Sequence, residues 1–185
     1  MDIKALIAVA DGIEELEAIT IIDCLGRAGA GLTIASVQER QITTCREVTI
    51  TADCLIADCV GKSYDLIVLP GGMPGAESLG KSKKLVEMLK KQKESGRLYA
   101  AICASPAIVF EHHGLLADKK ATCYPGMTDK LKNKEAINQR VVVDGNCITS
   151  QGPGTAIEFA LKLVELLFGA QKSIELAAAM LVKLH

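Results

Sequence analysis

The chain has 185 residues and a mass of 19.6 kDa, with 49% hydrophobic and 23% charged residues. This fits a single domain over residues 1–185 and excludes disorder, collagen-like repeats and a coiled coil as whole-chain descriptions. Lys and Arg (21) balance Asp and Glu (22) for a net charge of -1, and there is no Trp and only three Phe and three Tyr, so no positive field or ring platform exists to collect nucleic acid.

No apolar run approaches the ~20 residues of a membrane span, so no membrane association is expected. Seven Cys without C-x-x-C spacing fit neither a disulfide framework nor a ribbon-type zinc site. The expectation is a soluble, unexported protein of the reducing cytoplasm, without a metal or cofactor.

Ile3 to Ala10 reads as a strand, followed by Asp11-Gly12 and a helix in which Ala18, Ile21, Ile22 and Leu25 recur at helical spacing until Gly29 ends it. Leu32 to Val37 is the second strand, and the right-handed crossover makes this β-α-β unit parallel. From Gln38 to Asp65, β-branched alternation around Val48 to Thr51 predicts a small hairpin or edge ribbon. Asp65 to Leu69 is a buried strand that runs into Pro70–Gly75, a loop of three Gly and two Pro at a carboxyl strand end, where α/β folds place their binding sites.

Ser82 caps a helix with Leu85, Met88 and Leu89 inward and a lysine-rich solvated face, closed by Gly96. Leu98 to Ile102 is a strand with Cys103 at its end, and Ser105-Pro106 opens a helix that Gly114 stops. Arg140 to Val143 and Cys147 to Ser150 flank the Asp144-Gly145-Asn146 turn as a hairpin. Gly152-Pro153-Gly154 leads to a helix with Ile157, Ala160, Leu161, Val164 and Phe168 on one face and Gly169 as its cap, and Ser173 to Leu184 forms the last helix. Strands alternating with helices predict a three-layer α/β sandwich around a mostly parallel sheet.

Ala100-Ala-Ile-Cys-Ala-Ser-Pro106 is the most informative stretch. A nucleophile on a sharp strand-to-helix turn needs small neighbours two positions away, and Ala101 and Ser105 supply them. The amides and positive end of the following helix favour thiolate at Cys103 and lower its pKa. A cysteine is equally at home as a small buried hydrophobe, and spacing alone leaves both readings open; the other six cysteines are read as hydrophobes.

Glu14, Glu15 and Glu17 follow the first strand and so share its carboxyl edge with Cys103 and Gly71-Gly72. Acidic residues also suit a first helical turn without any catalytic task, but Glu17 shares a face with Ile13 and Ile21, which suggests partial burial. His112 and His113, near a helix end, read as surface residues rather than as partners of Cys103. The Gly71-Gly72 loop matches neither phosphate-binding glycine motif; the N–H groups of Gly72 and Ala104 read better as an oxyanion hole.

Four ordered segments, GIEELEA (12–18), VLPGGMPGA (68–76), AAICASPA (100–107) and TSQGPGTAIEFAL (149–161), together resemble the ThiJ/PfpI superfamily over nearly the whole chain. The sequence is most similar to the branch that contains Parkinson disease protein 7 and the bacterial YajL protein. The resemblance implies a flavodoxin-like sandwich forming a homodimer, with Cys103 as the reactive elbow cysteine and Glu17 as a protonated acid hydrogen-bonded to it. It also implies Gly72 and Ala104 as oxyanion amides, Gly71, Tyr124 and Pro153 beside the substrate, and Arg27 and Arg46 as anion-binding arginines near the dimer-associated site.

Two departures matter. Tyr124 stands before Pro125 where some relatives carry a histidine, and Ala104 follows the cysteine where superfamily proteases carry one, which argues against peptidase action. The branch implies two alternatives. One is cofactor-free glyoxalase or deglycase action on methylglyoxal, glyoxal or their early adducts with proteins and nucleotides; the other is peroxide sensing with chaperone-like protection and little turnover.

Overall fold

A computed structural model describes residues 2–183. β1 (Lys4–Val9) and β2 (Gly31–Ser36) flank α1 (Glu15–Ala28) and pair in parallel from Lys4 opposite Gly31 to Val9 opposite Ser36. Gly29 closes α1 with a left-handed φ of 99° that returns its N–H to the carbonyls of the last turn, a conformation a Cβ would strain. The Thr-rich segment forms the expected ribbon, β3 (Gln41–Thr43) antiparallel to β4 (Thr49–Thr51), and then β5 (Cys54–Leu55), which joins the main sheet beside β2. The fully buried β6 (Leu66–Leu69) precedes α2 (Gly75–Lys81) and α3 (Lys83–Glu94). After β7 (Leu98–Ile102) come a wide π-type helical segment, Pro106–Glu111, the strands β8 (Val141–Asp144) and β9 (Cys147–Ser150), and the helices α4 (Ala156–Phe168) and α5 (Ala170–Ala179).

The seven-stranded sheet runs β5-β2-β1-β6-β7-β9-β8, parallel except for the β8–β9 hairpin. Its inner order is the flavodoxin-like one, with strand order reversing at β1, so that β1 and β6 open a crevice at their carboxyl ends. α1, α4 and α5 pack together, while α3 lies against β7 and α2 against the π-type segment. Helices thus cover the sheet, and aliphatic side chains from Leu6 and Ile7 through Leu66 to Ile102 fill the centre.

The structure departs from the sequence reading at four places. α2 was not expected, because Gly75, Gly80 and the preceding Pro74 look like loop; its first turn instead packs its backbone on residues 12–13. The helix after the elbow is a short wide turn rather than a run to Gly114. On α4, Ile157 is 41% exposed while Phe159 and Leu163 are buried, so the inward face is rotated from the expected one. α5 starts before Ser173 and ends at Ala179, where Leu181 turns left-handed and the Val182 N–H caps the Ala177 carbonyl; Leu184 and His185 lie outside the described residues.

Backbone hydrogen bonds draw three loops together at the carboxyl edge. The Glu14 N–H donates to the Gly71 carbonyl, the Gly75 N–H to Gly12, the Gly12 N–H to Thr43 and the Cys45 N–H to Ile13. A Cβ on Gly75 would lie 2.4 Å from the Ile13 nitrogen, whereas one on Gly154 would meet nothing within 4 Å. Gly75→Ala is therefore expected to lose about 1–3 kcal/mol through overpacking, and Gly154→Ala close to none. Equal urea midpoints for the two variants would show that these loops are not closely packed.

Candidate active site

Cys103 directly follows β7 in a left-handed conformation, φ 64°, which costs a residue with a Cβ roughly 1–2 kcal/mol. Two strangers to β7 hold it there. The Cys103 N–H donates to the Ser150 carbonyl at 3.0 Å, and its own carbonyl accepts from the Tyr124 N–H at 2.7 Å. The buried Ser105 hydroxyl, two residues on, donates to the Pro70 carbonyl at 2.5 Å and ties the elbow to the glycine loop. The partly exposed sulfur projects from this turn.

Glu17 lies on the inward face of α1 with Ala18, Ile21 and Leu25 and is completely buried, more than the sequence suggested. Its Oε2 accepts the Gly71 N–H at 2.7 Å. Its Oε1 has no hydrogen-bond partner among the described residues, and the carboxyl lies near enough to Cys103 for each group to shift the other's pKa. Burial raises the carboxyl to about 7, helped by the charge of Glu14 and opposed by the bonds from Gly71 and Cys103.

The expected low thiol pKa is not what the geometry gives while Glu17 is ionised. Burial first, and then the Glu17 carboxylate, push Cys103 up to about 12, although the Gly72 and Ala104 N–H groups pull it down. The physical reason is desolvation of the sulfur in a buried corner beside a carboxylate, which outweighs the two backbone N–H groups. The Glu17 contribution vanishes when that carboxyl carries the proton.

Gly71 and Gly72 allow the approach. A Cβ on Gly71 would sit 2.5 Å from the Cys103 Cβ, and one on Gly72, at φ 87°, would sit 2.3 Å from the Glu14 nitrogen. Gly152 is a neighbour the sequence reading missed: a Cβ there would come 3.9 Å from the sulfur and 3.7 Å from the Tyr124 ring. Its signal was the G-P-G break before α4. Pro153 follows it in a short 3-10 turn, and Tyr124 is half exposed at the rim.

The remaining residues are not brought to the sulfur. Arg27 is at the far end of α1, about 15 Å along the helix from Glu17 at the usual rise, and it is ion-paired to Asp23 at 2.7 Å. Arg46 is exposed on the ribbon turn, its nearest bond being to the Cys45 carbonyl. Glu14 and Glu15 face Cys45, whose thiol donates to them at 3.1 and 3.7 Å. Those three offer ligand atoms within 4.8 Å of one another, a half-open donor set short of a four-ligand zinc centre. His113 bonds the Gly80 carbonyl, and His112 lines a separate recess of about 430 Å³ with Glu77 and Lys81.

The DJ-1/PfpI family model matches residues 3–166. Protein DJ-1 homolog B of Arabidopsis thaliana is 53% identical over 97% of this chain, and this chain spans only 41% of it; Protein DJ-1 homolog A is 48% identical, with 46% of it spanned. Protein dj-1beta of Drosophila melanogaster is 41% identical over 98% of both chains. A Caenorhabditis elegans relative named glutathione-independent glyoxalase DJR-1.2 is 37% identical over 86% of both. The solved structure of oxidized Toxoplasma gondii DJ-1 superposes with a TM-score of 0.96 at 45% identity, covering 98% of this chain and 100% of that one. With the glycine loop, the buried glutamate and the elbow cysteine in one fold, the chain belongs to the DJ-1/PfpI family.

Proposed function

We propose that this protein is a cofactor-independent, cysteine-dependent enzyme that converts small reactive aldehydes such as methylglyoxal and glyoxal, or their early adducts on proteins and nucleotides. The observation that carries the reading is a fully buried Glu17 beside Cys103, with one carboxyl oxygen unpartnered among the described residues. A carboxyl held near pH 7 is suited to receive the thiol proton and return it. As the proton moves to Glu17, the carboxylate's share in holding Cys103 as a thiol disappears, and the sulfur attacks the aldehyde carbon to give a hemithioacetal. The Gly72 and Ala104 N–H groups are the donors for the developing oxyanion.

For methylglyoxal, Glu17 returns that proton to the hemithioacetal oxygen and, a carboxylate again, carries the proton of the former aldehyde carbon to its neighbour while the hydroxyl proton passes to the ketone oxygen, leaving a thioester of lactate. Water releases lactate and restores the thiol. The glyoxalase name of the C. elegans relative supports this chemistry. Tyr124 stands at the rim where some relatives carry a histidine, so the proton work is assigned to Glu17. A peptidase mechanism is not proposed, since Ala104 occupies the position after the nucleophile.

A second reading has one observation behind it. The Toxoplasma gondii relative is described in an oxidized form, and Glu17 is placed to hydrogen-bond an oxidised Cys103 sulfur, as a peroxide sensor would need. Turnover separates the two: many lactates per chain support the enzyme, and one oxidation per chain without turnover supports the sensor. Cys103→Ala is expected to abolish methylglyoxal consumption, and Glu17→Gln to lower kcat by about 100-fold or more, within the range of lost acid–base catalysis. Unchanged consumption by Cys103→Ala would remove the enzymatic reading.

Glu17 also makes stability depend on pH. Its carboxyl binds a proton more tightly folded, at about 7, than at the ordinary 4.5. Its burial therefore carries no charge penalty below pH 4.5, and stability is lost as pH rises through 7, by roughly 3 kcal/mol in all. Between pH 5 and 8.5, urea unfolding of Glu17→Gln should gain on the wild type by about that amount. A constant difference would mean that Glu17 does not titrate in this range.

The implied homodimer has a surface to match. Leu16 and Ile19 on α1 are 49% and 48% exposed, and Val48 on the ribbon is similarly open, an apolar set beside the site. Ile19→Asp is expected to shift sedimentation at micromolar concentration from dimer to monomer; a wild-type monomer would count against this assembly. A reducing cytoplasm suits the seven free cysteines.

A further inference from the structure

Cys54 and Cys59 lie at the other side of the sheet from the elbow. β5 is separated from β7 by β2, β1 and β6, four strand spacings or about 19 Å. Their sulfurs are 3.6 Å apart, the only two cysteines in contact among the described residues. The short 3-10 turn Ile56–Cys59 folds the chain back so that side chains five residues apart converge, and Asp58 fixes the turn by accepting the Leu55 N–H at 3.1 Å. Cys54 is partly exposed, while Cys59 is buried beside the Tyr64 hydroxyl.

We propose that Cys54 and Cys59 form a redox-active dithiol that a hydroperoxide closes to an intramolecular disulfide, a second oxidation site separate from Cys103. The more exposed Cys54 meets the oxidant. Its thiolate attacks the peroxide oxygen, the O–O bond breaks, and an alcohol or water leaves, giving a sulfenic acid on Cys54. Cys59 then gives up its proton, its sulfur attacks that of Cys54, the S–O bond breaks, and hydroxide leaves with the proton as water. The pair loses two hydrogens, and the hydroperoxide is reduced to an alcohol and water.

Closure brings the sulfurs from 3.6 Å to about 2.05 Å. Burial, with Cys59 and Asp58 adding to it, raises the Cys54 thiol to about 11, so closure is slower than for an activated thiolate. The buried Tyr64 hydroxyl stays protonated as a donor beside Cys59.

The test uses full-length Cys103→Ala protein, which silences the elbow, exposed to a small excess of hydrogen peroxide. Both thiols fall within one tryptic peptide, residues 47–62. That peptide is expected to lose the mass of two hydrogens, to resist alkylation, and to recover on reduction with dithiothreitol. With Cys59→Ser added, the loss should disappear and dimedone should trap the sulfenic acid on Cys54. A cross-link between two chains, sulfinic acid on Cys54 without ring closure, or an unmodified peptide while other cysteines oxidise would each overturn the proposal. Cys59→Ser alone should leave methylglyoxal consumption unchanged, so failure here and failure of the aldehyde reading are told apart.

Discussion

Gly71 is the point on which the site depends. Its N–H holds one oxygen of Glu17 at 2.7 Å, and the space where its Cβ would be is taken by the Cβ of Cys103. One glycine backbone therefore packs against both Glu17 and Cys103, and a side chain there would push them apart. Parallel pairing of β1, β6 and β7 brings the three loops to one edge, and the bond from Glu14 to the Gly71 carbonyl keeps the start of α1 in place. The sheet sets position to within a few ångströms; the glycine contact sets the chemistry.

The same closeness governs the charge. A buried carboxyl and a desolvated thiol share a small space, and both cannot be ionised there at moderate cost. Their titration belongs to the pair, so the thiol that looks inert beside an anionic Glu17 becomes available once the carboxyl holds the proton. Helix-end activation, the natural reading of a strand-to-helix corner, is opposed here by burial of the sulfur and by the Glu17 carboxylate.

Most of the frame was legible because it rests on local rules. Alternating apolar runs, Gly29 after α1 and Ser82 before α3 mark their elements directly, and Cys103 among small residues marks the elbow. What escaped depended on contacts distant in sequence. α2 carries two glycines and no clear periodicity, and exists because its first turn packs on residues 12–13. β5 has two residues, too few for a pattern. Full burial of Glu17 follows from Gly71 lying over it, and the meeting of Cys54 with Cys59 follows from a turn that no spacing motif announces. Arg27 was carried by resemblance alone, and within one chain its ion pair with Asp23 leaves it remote from the sulfur.

The left-handed Cys103 backbone has a further consequence. Both of its main-chain polar groups are satisfied by other elements, yet a glycine would sit there with less strain than cysteine does. Glu17 is likewise a buried acid where an uncharged residue would fold more comfortably above neutral pH. A selection for thermal endurance alone, blind to chemistry, would therefore erode these two positions early. Under the proposed function, these two positions are where a stabilised variant of this protein would first fall silent.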